Sequence, residues 1–126
     1  LDEVDYRRAR HIVTENQRVV ETVNTLKSAG ARAIGELLNG SHASMRDDFE
    51  ISCAELDCAV EASLEAGAIG ARMTGGGFGG TAIAFISSDS VDAVIDAVGR
   101  AFSDGGFAAP RCFVASPADG AHRESP

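Results

Sequence analysis

The chain has 126 residues, 44% of them apolar, and a formal net charge of −8. That length suits one ordinary domain able to bury roughly two-thirds of its unfolded surface, and the apolar share argues against global disorder. The negative balance argues against a nucleic-acid surface, which needs clustered Lys and Arg to neutralise phosphates, and no apolar run approaches the ~20 residues of a membrane-spanning helix.

In chain order, residues 3–28 predict a long helix, because Ala9, Ile12, Val13, Val20, Val23 and Leu26 fall close to one face at i, i+3, i+4 spacing. Asp2 is placed to cap its start and Gly30 to end it. Arg7, Arg8, Arg10 and Arg18 read as its solvated face. Residues 31–38 predict a short second helix carrying Ile34, Leu37 and Leu38, with Gly40 as the stop. Residues 41–50, SHASMRDDFE, suggest a short helical turn capped by Ser41 or Ser44. Ser52-Cys53-Ala54-Glu55 fits a capping box, in which serine and glutamate satisfy each other's end donors. Leu56, Val60 and Leu64 continue as a helical stripe up to Gly67.

The period then changes. Residues 68–74 predict a strand, a glycine run follows, and residues 81–86, TAIAFI, predict a buried strand. The serines of residues 87–90 supply caps for a helix whose stripe is Val91, Val94, Ile95, Val98 and Phe102. Gly105 and Gly106 turn the chain, residues 111–115 predict a last strand, and residues 116–126, with Pro117, Gly120 and Pro126, form a loose tail after a domain spanning residues 1–115. This order predicts an α+β fold, a mainly antiparallel sheet packed on one face by helices.

Little conventional chemistry stands out. Cys53, Cys58 and Cys112 show no paired spacing, and the opening LDEVD is not a secretory leader, so reduced thiols in a cytoplasmic protein are expected. The first residue is Leu1, not Met, which leads us to expect a fragment or processed product. His11, His42 and His122 lack ligand spacing and read as structural, and no metal site is expected from this chain alone. Ser41, His42, Arg46, Asp47 and Asp48 offer carboxylates beside a histidine, a grouping able in principle to do acid–base work. Their simpler reading is capping and ion pairing of a helical turn.

The glycine run, MTGGGFGGT at residues 73–81, is the strongest signal. Each glycine in an ordered element costs about 0.5–1 kcal/mol relative to alanine. Gly75-x-Gly77-x-x-Gly80 matches G-x-G-x-x-G, yet a strand follows where a dinucleotide fold needs a helix N-terminus. A protein-kinase loop would need a strand lysine, and the one lysine is Lys27, upstream and helical. A Walker loop would need Gly-Lys-Ser/Thr, which is absent. A plain hairpin needs only two glycines. Five imply close approach of another backbone or an anion, which only a missing Cβ permits.

GARMTGGGFGGTAIAF, residues 70–85, resembles the third motif of the galactokinases, within the GHMP family of small-molecule kinases. RRARHIVTENQRV, residues 7–19, and SHASMRDDFEISCAELD, residues 41–57, resemble the segments that precede it in galactokinase C-terminal halves. Ala54 stands where proline is expected, and Thr81 where cysteine is frequent. The resemblance implies a ferredoxin-like C-terminal domain separated from the half that carries the sugar signature, the phosphate loop and the catalytic Asp–Arg pair. It implies a parent enzyme that uses ATP and Mg²⁺ to phosphorylate the C1 hydroxyl of α-D-galactose, the fragment itself being inactive. A non-enzymatic galactose sensor of the same fold, or another GHMP small-molecule kinase, is the alternative. Gly75, Gly76, Gly77, Gly79 and Gly80 would be the nucleotide-binding residues, packed at the cleft against the missing lobe. Arg72 and Thr74, flanking them, either face that cleft or pair within the sheet. The expected partners are galactose, ATP and the missing N-terminal domain, with self-association of the fragment through surfaces left uncovered.

Overall fold

The computed structural model describes residues 2–124. Helix α1 spans Glu3–Ala29; the Asp2 carboxylate accepts the Asp5 N–H at its start, and Gly30, at φ 83°, ends it. A 3₁₀ turn, Ala31–Ile34, leads into α2, Gly35–Ser44. Gly40 does not stop α2; Ser44 stands at the N-cap of the turn that follows, but neither its side chain nor that of Ser41 makes a capping bond there. Both hydroxyls make tertiary bonds instead, Ser41 to the Glu15 carboxylate and Ser44 to His11 Nδ1. The expected helical turn is present as a π-helical turn, Met45–Phe49, closed by Glu50 in the left-handed region at φ 57°.

Helix α3, Ala54–Glu65, starts from Cys53 with no side-chain cap. The expected capping box does not form, because the Ser52 hydroxyl donates to Asp57 at 2.7 Å. Strands β1, Gly70–Thr74, and β2, Thr81–Phe85, make an antiparallel pair in the register Arg72 opposite Ile83. A 3₁₀ turn, Ser88–Ser90, precedes α4, Val91–Asp104, and Ser90 supplies no side-chain cap. No strand forms over residues 111–115, where Phe113 and Val114 are exposed. Phe107 packs edge-on against Phe102, and beyond it Pro110 has no N–H to offer a ladder. Leu1 and Pro126 lie outside the described residues. Among these, no helix is long and apolar enough to cross a membrane.

The fold is α+β, with α3 at its centre. One face of α3 joins α4 through Ala62, Val94, Val98 and Phe102. The other meets β1 and the π turn through Leu56, Met45 and Met73, with Ile51 alongside. Helix α2 closes the outer edge of β1: the N–H groups of Ala71 and Met73, which point away from β2, donate to Asn39 Oδ1 and His42 Nδ1, both at 3.0 Å. These bonds satisfy an edge that would otherwise be open. Among the described residues strand β2 has no such cover, and it is largely exposed rather than buried as its apolar sequence predicted.

Two expectations about α1 are corrected. Its apolar stripe faces outward, with Ile12, Val13, Val20, Val23 and Leu26 all exposed, and His11 is its one buried residue. Its arginines are not a solvated face. Arg7 and Arg8 pair with Glu50, Arg10 with Asp48, and Arg18 with Glu15, so the polar side of α1 is what docks it.

Candidate functional site

The β1–β2 connection gathers the five candidate glycines in one loop. Gly75, Gly77, Gly79 and Gly80 have φ values of 88°, 89°, 132° and 100°, a region that L side chains rarely adopt. The main-chain N–H groups of Gly75, Gly76, Gly77, Gly79 and Gly80 donate to no other group among the described residues. A Cβ added at Gly75, Gly76, Gly79 or Gly80 would meet nothing within 4 Å. The outer face of the loop is therefore bare, unpaired main chain, the arrangement that receives an anion or another backbone.

The inner face is held. At Gly77 a Cβ would lie 2.6 Å from the Ile51 carbonyl oxygen, so that position is closed to any side chain. The Phe78 N–H donates to the same oxygen at 2.6 Å, and Phe78 itself is left-handed at φ 61° and 75% exposed. Arg72 does not reach outward. Its guanidinium donates to the Met73 carbonyl at 2.9 Å and lies 3.5 Å from Glu15. Thr74 pairs with Thr81 at the end of the ladder.

The second candidate group is dispersed by the fold. His42 is buried, takes the Met73 N–H on Nδ1 and donates from Nε2 to Asp57 at 2.8 Å. Arg46 and Asp47 pair with each other at 2.8 Å on the outside, and Asp48 is held by Arg10. The Arg10 hydrogen bond outweighs desolvation and keeps the Asp48 carboxyl below the usual carboxylate range. Burial opposes the charge on Glu15, but the Ser41 hydroxyl and Arg18 overcome it and lower its pKa. Burial pushes the Cys58 thiol up, away from the reactive thiolate. These residues act as ion pairs and buried bonds, and the exposed carboxylate among the candidates, Asp47, is held by Arg46. Among the described residues, no three His, Cys, Asp or Glu side chains come together as metal ligands.

Sequence reading passed over Glu50, Ile51 and Phe78. The one available signal was an aromatic residue set inside a glycine run; nothing in the sequence marks a left-handed glutamate.

Residues 24–104 match the family model for the GHMP kinases C terminal. A galactokinase of Streptomyces coelicolor is 54% identical over 123 residues, covering 97% of this chain and 32% of that protein. A galactokinase of Mycobacterium tuberculosis is 48% identical over 109 residues, covering 86% of this chain and 30% of that protein. Among solved structures, Lactococcus lactis galactokinase complexed with galactose aligns with a TM-score of 0.79 at 45% identity, over 86% of this chain and 29% of that one. L. major mevalonate kinase in complex with R-mevalonate aligns with a TM-score of 0.61 at 32% identity, over 65% of this chain and 25% of that one. The chain thus spans about a third of the length of the curated relatives it matches. The glycine loop lies inside the matched segment, and the helices and strands that present it are those of a domain shared by kinases of two different acceptors: this chain belongs to the GHMP kinase family, as its C-terminal domain.

Proposed function

We propose that the full-length polypeptide containing this chain is a galactokinase, transferring the ATP γ-phosphate to the C1 hydroxyl of α-D-galactose. The observation that carries this reading is the match of nearly the whole chain to galactokinases at about half identity. The loop supports it: phosphoryl transfer is mostly positioning and charge stabilisation, and bare main chain with free N–H groups suits a nucleotide cleft. In this reading Gly75, Gly76, Gly77, Gly79 and Gly80 line that cleft and let the nucleotide and the phosphate-binding lobe approach closely. ATP supplies the transferred group. Such enzymes use Mg²⁺ to neutralise the phosphates. Among the described residues no three His, Cys, Asp or Glu side chains gather as ligands for it, with Asp48 taken by Arg10 and Glu50 by Arg7 and Arg8. The metal ligands and the catalytic base therefore belong to the rest of the polypeptide, and this chain alone is inactive. We place the enzyme in the cytoplasm, with Cys53, Cys58 and Cys112 as free thiols.

The test is ADP release by the full-length protein with galactose, other hexoses and mevalonate as acceptors. Galactose-dependent turnover is expected. Galactose binding without turnover would identify a sensor, and turnover with another acceptor a different kinase. Turnover by residues 1–126 alone would overturn the division of the active site.

A further inference from the structure

Among the described residues only two non-glycine residues have positive φ, Glu50 at 57° and Phe78 at 61°. They are 28 positions apart in sequence, yet one residue joins them. Ile51 follows Glu50, and its carbonyl accepts the Phe78 N–H at 2.6 Å. That is the one hydrogen bond tying residues 75–80 to another segment of the described chain. Backbone strain of this kind persists only where the surroundings over-determine it.

The surroundings of Glu50 do so. Its carboxylate receives Arg7 Nη1 at 3.0 Å and Arg8 Nη2 at 2.6 Å from the first turns of α1. Arg7 also donates to the Asp47 carbonyl at 3.2 Å, and Arg8 to that of Asp48. From below, the Ile51 N–H donates to the Met45 carbonyl at 3.0 Å and closes the π turn. The Ile51 carbonyl is thus aimed from both sides, and the loop has fitted itself to it: Gly77 has no Cβ where one would lie 2.8 Å from Ile51 Cβ.

We propose that Glu50, clamped by Arg7 and Arg8, is a positioning residue for the glycine loop, acting through the Ile51 carbonyl that pins Phe78. Its effect on the enzyme rests on the reading of that loop as part of the nucleotide cleft; its effect on the loop does not. The Glu50 carboxylate is engaged by Arg7 and Arg8 and acts on the loop through the main chain. It fixes the backbone angle that presents the Ile51 oxygen, and that oxygen fixes which way the glycine N–H groups face.

Two readouts on the full-length protein test this. Glu50→Gly permits the left-handed backbone without strain and removes the carboxylate. Arg7→Gln with Arg8→Gln removes the clamp and leaves Glu50 in place. In both, amide hydrogen exchange at Phe78 should accelerate by about fivefold, the scale of a modest charged contact, with exchange at Met73 unchanged. The KM for ATP should rise, with the KM for galactose unaltered. Faster exchange at Phe78 with an unaltered KM for ATP supports the anchor and counts against the nucleotide reading of the loop. Unchanged exchange at Phe78 in both variants, with only a lower melting temperature, would show that Glu50 merely staples α1, and overturns the proposal.

Discussion

At the level of single residues, the glycines divide by what demands them. The run at residues 75–80 was legible as the connection between two strands, and four of its five glycines take a positive φ that a side chain would strain. The glycines at positions 35 and 70 were not legible, because an isolated glycine reads as a helix or strand boundary. The structure gives them a different reason. A Cβ at Gly35 would sit 2.1 Å from the Ile69 carbonyl oxygen, and one at Gly70 2.8 Å from Gly35 Cα, so α2 rests backbone to backbone on the start of β1. Gly35→Ala should lower stability by at least about 1–3 kcal/mol, since main chain and not a flexible side chain must move. Gly76 is the opposite case. Its φ is not positive and nothing lies within 4 Å, so nothing within the described residues requires glycine there. Gly76→Ala should leave stability within about 0.5 kcal/mol of the parent, yet raise the KM for ATP of the full-length protein. Urea denaturation of both variants beside ATP kinetics checks the pair. Normal kinetics in the Gly76→Ala protein would remove Gly76 from the cleft.

At the level of elements, helical periodicity located α1 and α4 well, and it misjudged which side of α1 docks. Periodicity finds a stripe; it does not say what the stripe meets. The docked side carries His11, Glu15 and Arg18 among its bonds, with His11 stacked on Phe49 at 4.6 Å and hydrogen-bonded to Ser44 at 2.8 Å. This polar seam makes stability pH-dependent. Desolvation holds the His11 pKa below its ordinary 6.5, so as pH falls the unfolded chain takes up that proton first. The contribution of His11 is present above about 6.5 and is lost as pH falls through the lower folded value. Glu15 and Asp48, also lowered in the fold, add a second loss below their ordinary values of 4.5 and 3.8. Denaturation midpoints of the parent should therefore decline from pH 7.5 to 5.5, and His11→Gln should flatten that interval while keeping the acid limb. An equal decline in both proteins would show that His11 does not titrate across folding.

At the level of the whole molecule, the fold class was legible because segregated helical and strand patterns leave few architectures. The exposure of β2 and of the α1 stripe was not, because an apolar pattern is the same whether this chain or another surface covers it. Ile12, Val13, Val19 and Val20 are each at least half exposed, and Val23 and Leu26 are 44% and 43% exposed along the same helix. A soluble monomer seldom leaves so continuous an apolar stripe bare. The relatives are about three times as long as this chain, so in the full-length protein there is ample chain to cover it. In isolation, residues 1–126 should self-associate through α1, and sedimentation velocity should show the weight-average coefficient rising with concentration. Val20→Glu with Val23→Lys should restore a monomer by placing charge on the stripe without touching the docked side. In the full-length protein the same pair should cost about 1–3 kcal/mol per site if the stripe is covered there. A monomer at every concentration, together with a full-length protein indifferent to both substitutions, would mean that the stripe is solvent-facing in every state, and that the outward turn of α1 belongs to the fold itself rather than to a surface awaiting its partner.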